Sequence, residues 1–235
     1  MQGSDVMKVS MKMVAAATCL TLPAVLLAAP QVYSIDPGHT YPSFEVSHEG
    51  LSYWRGKFDK TSGKILLDRA AKTGQIDIQI DTTSINFGLP VMNKHAQGED
   101  FFQTDKYPTA TFHSTSIAFD GDKPVSINGD LTIRGITKPV KLQVKSFKCI
   151  QDPMFKREHC GADVRTEFDR RDFGMTRNIV PSDPNVRLAI QVEAFAGALP
   201  DFSRFGGPGG PGGPPPGALG NGPPPGAAGN GPPKL

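Results

Sequence analysis

Between about residues 32 and 197, apolar and polar residues alternate with a period of two along most of the chain. The stretch Gly129–Phe147, GDLTIRGITKPVKLQVKSF, shows it best. Leu131 and Ile133 alternate with Thr132 and Arg134, and Val140, Leu142 and Val144 alternate with Lys141, Gln143 and Lys145. Alternation of this kind puts one face in a core and the other in water. The stretch is therefore expected to be two antiparallel strands, joined by a turn at Gly135-Ile136-Thr137-Lys138-Pro139. One face is wholly aliphatic, and a hairpin cannot bury such a face alone, so further strands must close over it.

The same reading supplies those strands. Val32–Ile35, Ser43–His48, Lys57-Phe58, Gly63–Asp68 and Gln75–Asp81 come first, the last with Ile76, Ile78 and Ile80 on one face. Ser84–Phe87 continues that run. Thr109–Asp120, Val125–Arg134, Lys138–Cys149, Ala162–Arg171 and Asn185–Ala196 follow. Leu51–Gly56, which carries Trp54, is expected to be a helical turn. At Pro90 the period lengthens, giving a helix over Pro90–Gln97 and a further turn over Glu99–Thr104. Many strands, short connections and one helical insertion exclude a βαβ pattern. The expected fold is all-β, an antiparallel up-and-down barrel of about eight strands, because closure removes exposed edges. A barrel of that size is either filled by side chains or holds one small ligand.

Composition changes the picture at both ends. Lys8 and Lys12 precede the apolar run Met13–Ala29, the pattern of a secretory signal peptide. Leu rather than Ala at the −3 position and Pro30 make the cleavage site imperfect, so an uncleaved anchor is the competing reading. Cys19 lies in this run without a lipobox. The chain thus divides into a signal at 1–29, a globular domain at 30–197 and a tail at 198–235. From Gly206 onward the tail is mostly Gly and Pro, with PPPGALGNG followed by PPPGAAGNG. It has little apolar surface to bury and is expected to be disordered. A formal net charge of +2 does not provide the basic face that nucleic acid requires. Export leaves Cys149 and Cys160 as a pair, expected to form a disulfide. With only His159 adjacent, the two cysteines do not make a tetrahedral zinc set.

Candidate chemistry is sparse. The five histidines, His39, His48, His95, His113 and His159, form no metal-binding or catalytic motif, although His95 with Glu99 and Asp100 could assemble at a distance. An extracytoplasmic haem or metal protein, or an enzyme using these histidines, is the alternative reading. What stands out is apolar excess at inward positions. On the early strands these are Phe44, Val46, Trp54, Phe58, Ile76, Ile78 and Ile80. Further along they are Met92, Phe101, Phe102, Phe112, Leu131 and Ile133. Each is either packed core or the wall of a ligand tunnel. Ile78, Phe112 and Ile133, at the middle of strongly alternating strands, are expected to reach a ligand.

Several segments are similar to one known family. They are Asp36-Pro37-Gly38-His39-Thr40 with Phe44–His48, Arg55–Phe58, Asp100-Phe101-Phe102, and Lys106-Tyr107-Pro108 with Thr111–Thr115. Gly129–Val140 and Arg171-Asp172-Phe173-Gly174-Met175 complete the set. In these pieces and their order the chain resembles the YceI-like family of periplasmic lipid- and polyisoprenoid-binding proteins. The stretch from Cys149 to Cys160-Gly161-Ala162-Asp163 is similar to a disulfide-bearing subset. Met92-Asn93-Lys94-His95-Ala96 keeps the His of an Arg-Asp-x-His-Leu-like segment but not its charged pair or its Leu. The resemblance implies a lipocalin-like barrel, no cofactor beyond a bound isoprenoid or fatty-acyl lipid, and no enzymatic activity. It further implies His95 near the tunnel mouth, a periplasmic or secreted location, frequent homodimerisation and transient contact with a membrane or membrane protein.

Overall fold

The computed structural model describes residues 29–177, 179 and 184–202. The leader read at 1–29 lies outside the described residues up to residue 28, and so does the Gly/Pro-rich stretch from residue 203. Eleven strands form one antiparallel sheet: β1 (Gln31–Ile35), β2 (Tyr41–His48), β3 (Ser52–Phe58), β4 (Thr61–Asp68), β5 (Thr73–Asp81), β6 (Ile85–Asn86), β7 (Thr109–Asp120), β8 (Lys123–Ile133), β9 (Ile136–Gln151), β10 (Glu158–Asp169) and β11 (Asn185–Ala196). The helix α1 spans Pro90–Gln97, as the lengthened period indicates. Strands β1-β4-β5-β7-β8-β9-β10-β11 follow one another, and β1 pairs back onto β11 through Ser34↔Phe195 and Ile35↔Ala194. These eight strands make a closed barrel. The other half of β11, Val186 to Gln191, pairs with β2, which carries β3 and β6 beyond it as a flap.

Three expectations about elements change. Ser84–Phe87 does not continue β5, because the 3-10 turn Thr82–Ser84 intervenes and Ile85-Asn86 pairs with β3. Leu51–Gly56 is not a helical turn, because Ser52–Phe58 is strand, with Trp54 opposite Val46 and Gly56 opposite Phe44. Trp54 and Phe58 are four residues apart, a spacing that shares a face in a helix and in a strand alike, so pairing with β2 decides. Gly56 serves a packing purpose here. A Cβ on it would come within 2.7 Å of the Phe44 ring, so its absence lets that ring lie across the strand. The central turn is also shorter than expected. Ile133 pairs with Ile136, and only Arg134 and Gly135 lie between, with φ of 54° and 73°. Positive φ at both central residues is the type I′ geometry that matches strand twist. Pro139 is therefore inside β9. Because β10 pairs only as far as Gln143, Pro139 lies where β9 has one open edge, which a missing N–H tolerates.

Cys149 and Cys160 form a disulfide. They sit within β9 and β10 as directly opposed residues, so the bond staples two strands rather than closing a loop at their ends. Cys160 packs with Tyr33, Ile35, Leu67 and Ala194 at one end of the barrel. Described residues past 198 also pack on this end. Arg157 Nη1 donates to Ala198 O (2.6 Å), and the Phe202 ring lies against Phe155 and Phe195, so the packed domain reaches Phe202. The central core holds Phe112, Ile127, Leu142, Val164 and the fully buried Phe173, with Ile76 and Ile78 against them.

Candidate functional site

The site starts from strand ends. On β5, Ile80 lines a cavity and Ile78 does not. On β8, Leu131 and Ile133 line it and Ile127 does not. Phe168 near the end of β10, and Val186 and Leu188 near the start of β11, line it, whereas Val164 and Ala194 on the same strands do not. These strands thus change from core to cavity at the same end of the barrel, the end covered by the β2–β3 flap and α1.

The flap supplies Phe44 and Val46 from β2 and Trp54 and Phe58 from β3. Phe87 joins them, with its ring 5.3 Å from Phe44 and 6.2 Å from Trp54, both edge-on, an arrangement that aromatic quadrupoles favour. Helix α1 begins with Pro90 at its first turn, where a missing N–H costs nothing. It is tied down at Asn93, whose Oδ1 accepts the Phe87 N–H (2.7 Å), and at Gln97, whose side chain donates to Thr83 O (2.8 Å). Asn93 departs from the family pattern, and here it anchors the helix. Met92, His95 and Ala96, spaced three and four residues apart, share the face turned to the cavity. Ala96 is buried against Phe44, Phe58, Ile85 and Val186, so its small side chain lets the helix sit close. Phe102 follows with its ring 5.3 Å from Phe58, and Phe101 packs 4.9 Å from the His95 ring.

The resulting cavity has a volume of about 630 Å³ and is partly open to solvent. Its walls are mainly aliphatic and aromatic. Polar groups come from Ser47, His48 and Glu49 at the tip of the flap, from His95, and from Arg170, whose Nη1 donates to Met175 O (3.4 Å). Ser47 Oγ accepts the Gly50 N–H of the flap turn. An apolar chamber of this size with a few polar groups is the form of a small-molecule binding site.

Of the residues singled out in the sequence, Phe44, Val46, Trp54, Phe58, Ile80, Met92, His95, Phe101, Phe102, Leu131 and Ile133 line the cavity. Ile76, Ile78 and Phe112 do not, and they belong to the packed core beneath it. Phe112 fills the space over Gly129, where a Cβ would come within 2.4 Å of the ring. Sequence reasoning did not mark Phe87, Phe168, Val186, Leu188, Arg170 or Met175. Val186 and Leu188 lie in strict alternation on β11 and so were open to detection, whereas Arg170 and Met175 come from an irregular turn that has no period. The five histidines do not meet in the cavity as one set. His48 and His95 line the cavity, His113 pairs with Asp77 on the outer face, and His39 and His159 lie at other positions.

A family model described as the YceI-like domain matches residues 33–194. A UPF0312 protein of Shewanella denitrificans is 35% identical over 175 residues, covering 74% of this chain and 91% of the relative. One from Shewanella oneidensis is 34% identical over the same length and coverage. Among solved structures, BcnA of Burkholderia cenocepacia aligns with a TM-score of 0.57 at 25% identity, over 68% of this chain and 98% of its own. A polyisoprenoid binding domain from Saccharophagus degradans, implicated in plant cell wall breakdown, shares the fold with a TM-score of 0.52 at 19% identity, over 71% and 99% of the two chains. By the family match over most of its described residues, and by relatives a third identical across nearly their whole length, the chain belongs to the YceI-like family.

Proposed function

We propose that the protein is a non-enzymatic binding or carrier protein for one long-chain apolar lipid, of the isoprenoid, isoprenoid quinone or fatty-acyl class. The cavity carries this reading: about 630 Å³ walled mainly by aliphatic and aromatic side chains, at the end of a barrel that is otherwise packed. Each 100 Å² of lipid surface moved there from water contributes roughly 2.5 kcal/mol. The few polar groups at the flap tip and helix orient a headgroup rather than supply the affinity. A fold neighbour described as a polyisoprenoid binding domain supports the same class of ligand. The protein works outside the cytoplasm, periplasmic or secreted, where its lipid is taken from and returned to a membrane or membrane protein. The signal-like pattern at 1–29 and a Cys149–Cys160 disulfide support that location.

Organic extraction of the purified protein followed by mass spectrometry tests the function. One long-chain lipid per chain is the expected result. Protein that carries no such lipid, and fails to take up a fluorescent polyprenyl or fatty-acyl probe after delipidation, overturns it.

A further inference from the structure

At the foot of the barrel, away from the lipid cavity, three carboxylates and two imidazoles lie in a row. Asp36 follows β1 in a rigid turn. Its side chain is almost wholly buried. Its Oδ1 accepts the Gly38 N–H (2.8 Å), and its backbone N–H donates to Glu193 O on β11 (2.9 Å). Its Oδ2 lies 2.8 Å from His39 Nδ1. On the far side of Glu193, His159 Nε2 stands 3.1 Å from Glu193 Oε2, and His159 Nδ1 is 3.5 Å from Asp152. Four separate segments, the β1–β2 turn, the β9–β10 loop, the start of β10 and the end of β11, bring these groups together.

Two features leave the row short of positive charge and one imidazole nitrogen without a partner. Among the described residues no Lys or Arg pairs with Asp36, Glu193 or Asp152, so three carboxylates face only two imidazoles. In addition, His159 Nε2 is shut off from solvent and makes no hydrogen bond, since its approach to Glu193 is close but badly angled. A buried imidazole nitrogen without a partner is costly.

We propose that Asp36, His39 and Glu193 form a binding site for a divalent transition-metal ion of the zinc class. One ligand atom from each lies within 4.8 Å of the others. An ion held about 2.1 Å from each ligand fits after small rotations of two side chains. The two that must move are free to do so, because the side chains of His39 and Glu193 are 61% and 39% exposed. The third, Asp36, is fixed by its turn. Imidazole plus two carboxylates is a nitrogen and oxygen set suited to zinc, with a fourth position left for water. His159 is not one of the ligands: it lies beside Glu193 on the far side, with Asp152 3.5 Å from its other nitrogen.

The test uses untagged, oxidised protein with Zn²⁺, and Co²⁺ as its absorbing substitute. Equilibrium dialysis should find one Zn²⁺ per chain, and Co²⁺ should give visible absorption bands that Zn²⁺ bleaches. His39→Ala, at an exposed position, should fold normally and lose binding by more than about tenfold, and Glu193→Gln should weaken it in the same sense. His113→Ala, which removes the exposed His113–Asp77 pair elsewhere on the barrel, should leave Zn²⁺ binding unchanged. If wild-type protein binds no stoichiometric Zn²⁺ near neutral pH, protons alone satisfy the row and the proposal fails. Binding that survives in His39→Ala, or that His113→Ala abolishes, also overturns it.

Discussion

Phe112 and Ile133 lie on neighbouring strands, yet the structure gives them different surroundings. Phe112, 7% exposed, faces core side chains, and its ring covers Gly129, so nothing adjacent can swing in to replace it. Phe112→Ala should therefore leave a void and cost about 4 kcal/mol, within the 3–5 expected for a buried aromatic. For a domain of this size that is a fall of roughly 8–16 °C in Tm. Lipid retained per folded molecule should not change, because Phe112 does not line the cavity. Ile133 does line it. Ile133→Trp should push the indole into the cavity, cost no more than about 1–3 kcal/mol through contact with the core on its other flank, and sharply reduce lipid uptake. Thermal melts of delipidated protein and uptake of a fluorescent fatty-acyl probe measure both quantities. The assignment of core and cavity is refuted if Phe112→Ala loses uptake while keeping its Tm, or if Ile133→Trp loses Tm while keeping uptake.

Two further outcomes are expected at the other end of the barrel. Replacing both Cys149 and Cys160 with Ala frees a loop with a sequence separation of 11 residues, which should cost about 3 kcal/mol in the chain-entropy account; melting curves matching the oxidised wild type would contradict this. Tyr33 is pushed up to about 12 by burial and by its hydrogen bond to Glu158, so the folded state favours the neutral phenol. That stabilisation is complete below pH 10 and is lost as pH rises through 12. Titration followed by tyrosinate absorbance should show a final transition that Tyr33→Phe removes, and an unchanged titration curve in that variant would sink the assignment.

The barrel was legible because its strands alternate strictly. Asn185–Ala196 and Thr109–Asp120 have the bounds that alternation alone predicts, and α1 stands out where the period lengthens. What stayed hidden depended on partners distant in sequence. Ser52–Phe58 is strand because β2 lies beside it, and its own residues do not distinguish strand from turn. The one-strand register that makes Cys149 and Cys160 direct neighbours follows from the β9–β10 hairpin, which the chain pattern places only to within a few residues.

The cavity residues show a deeper reason for partial legibility. Period two reports whether a side chain points inward or outward, and on that question Ile76, Ile78, Ile80, Phe112, Leu131 and Ile133 give the same answer. Whether an inward residue meets core or open space depends instead on its height along the barrel axis. Height is set by strand stagger and by which covering elements lie above. Ile78 and Ile80 are two residues apart on one face of one strand, yet only Ile80 reaches the level where the flap and α1 replace a packed interior. The bulky groups at that level come largely from outside the barrel strands, from Phe87, Phe101, Phe102 and the turn carrying Arg170 and Met175. The shape of the cavity therefore rests on the chain segments whose pattern is weakest, and variants at Phe87 and Phe102 should alter uptake of the fatty-acyl probe more than any equal change in volume at Ile78 or Phe112.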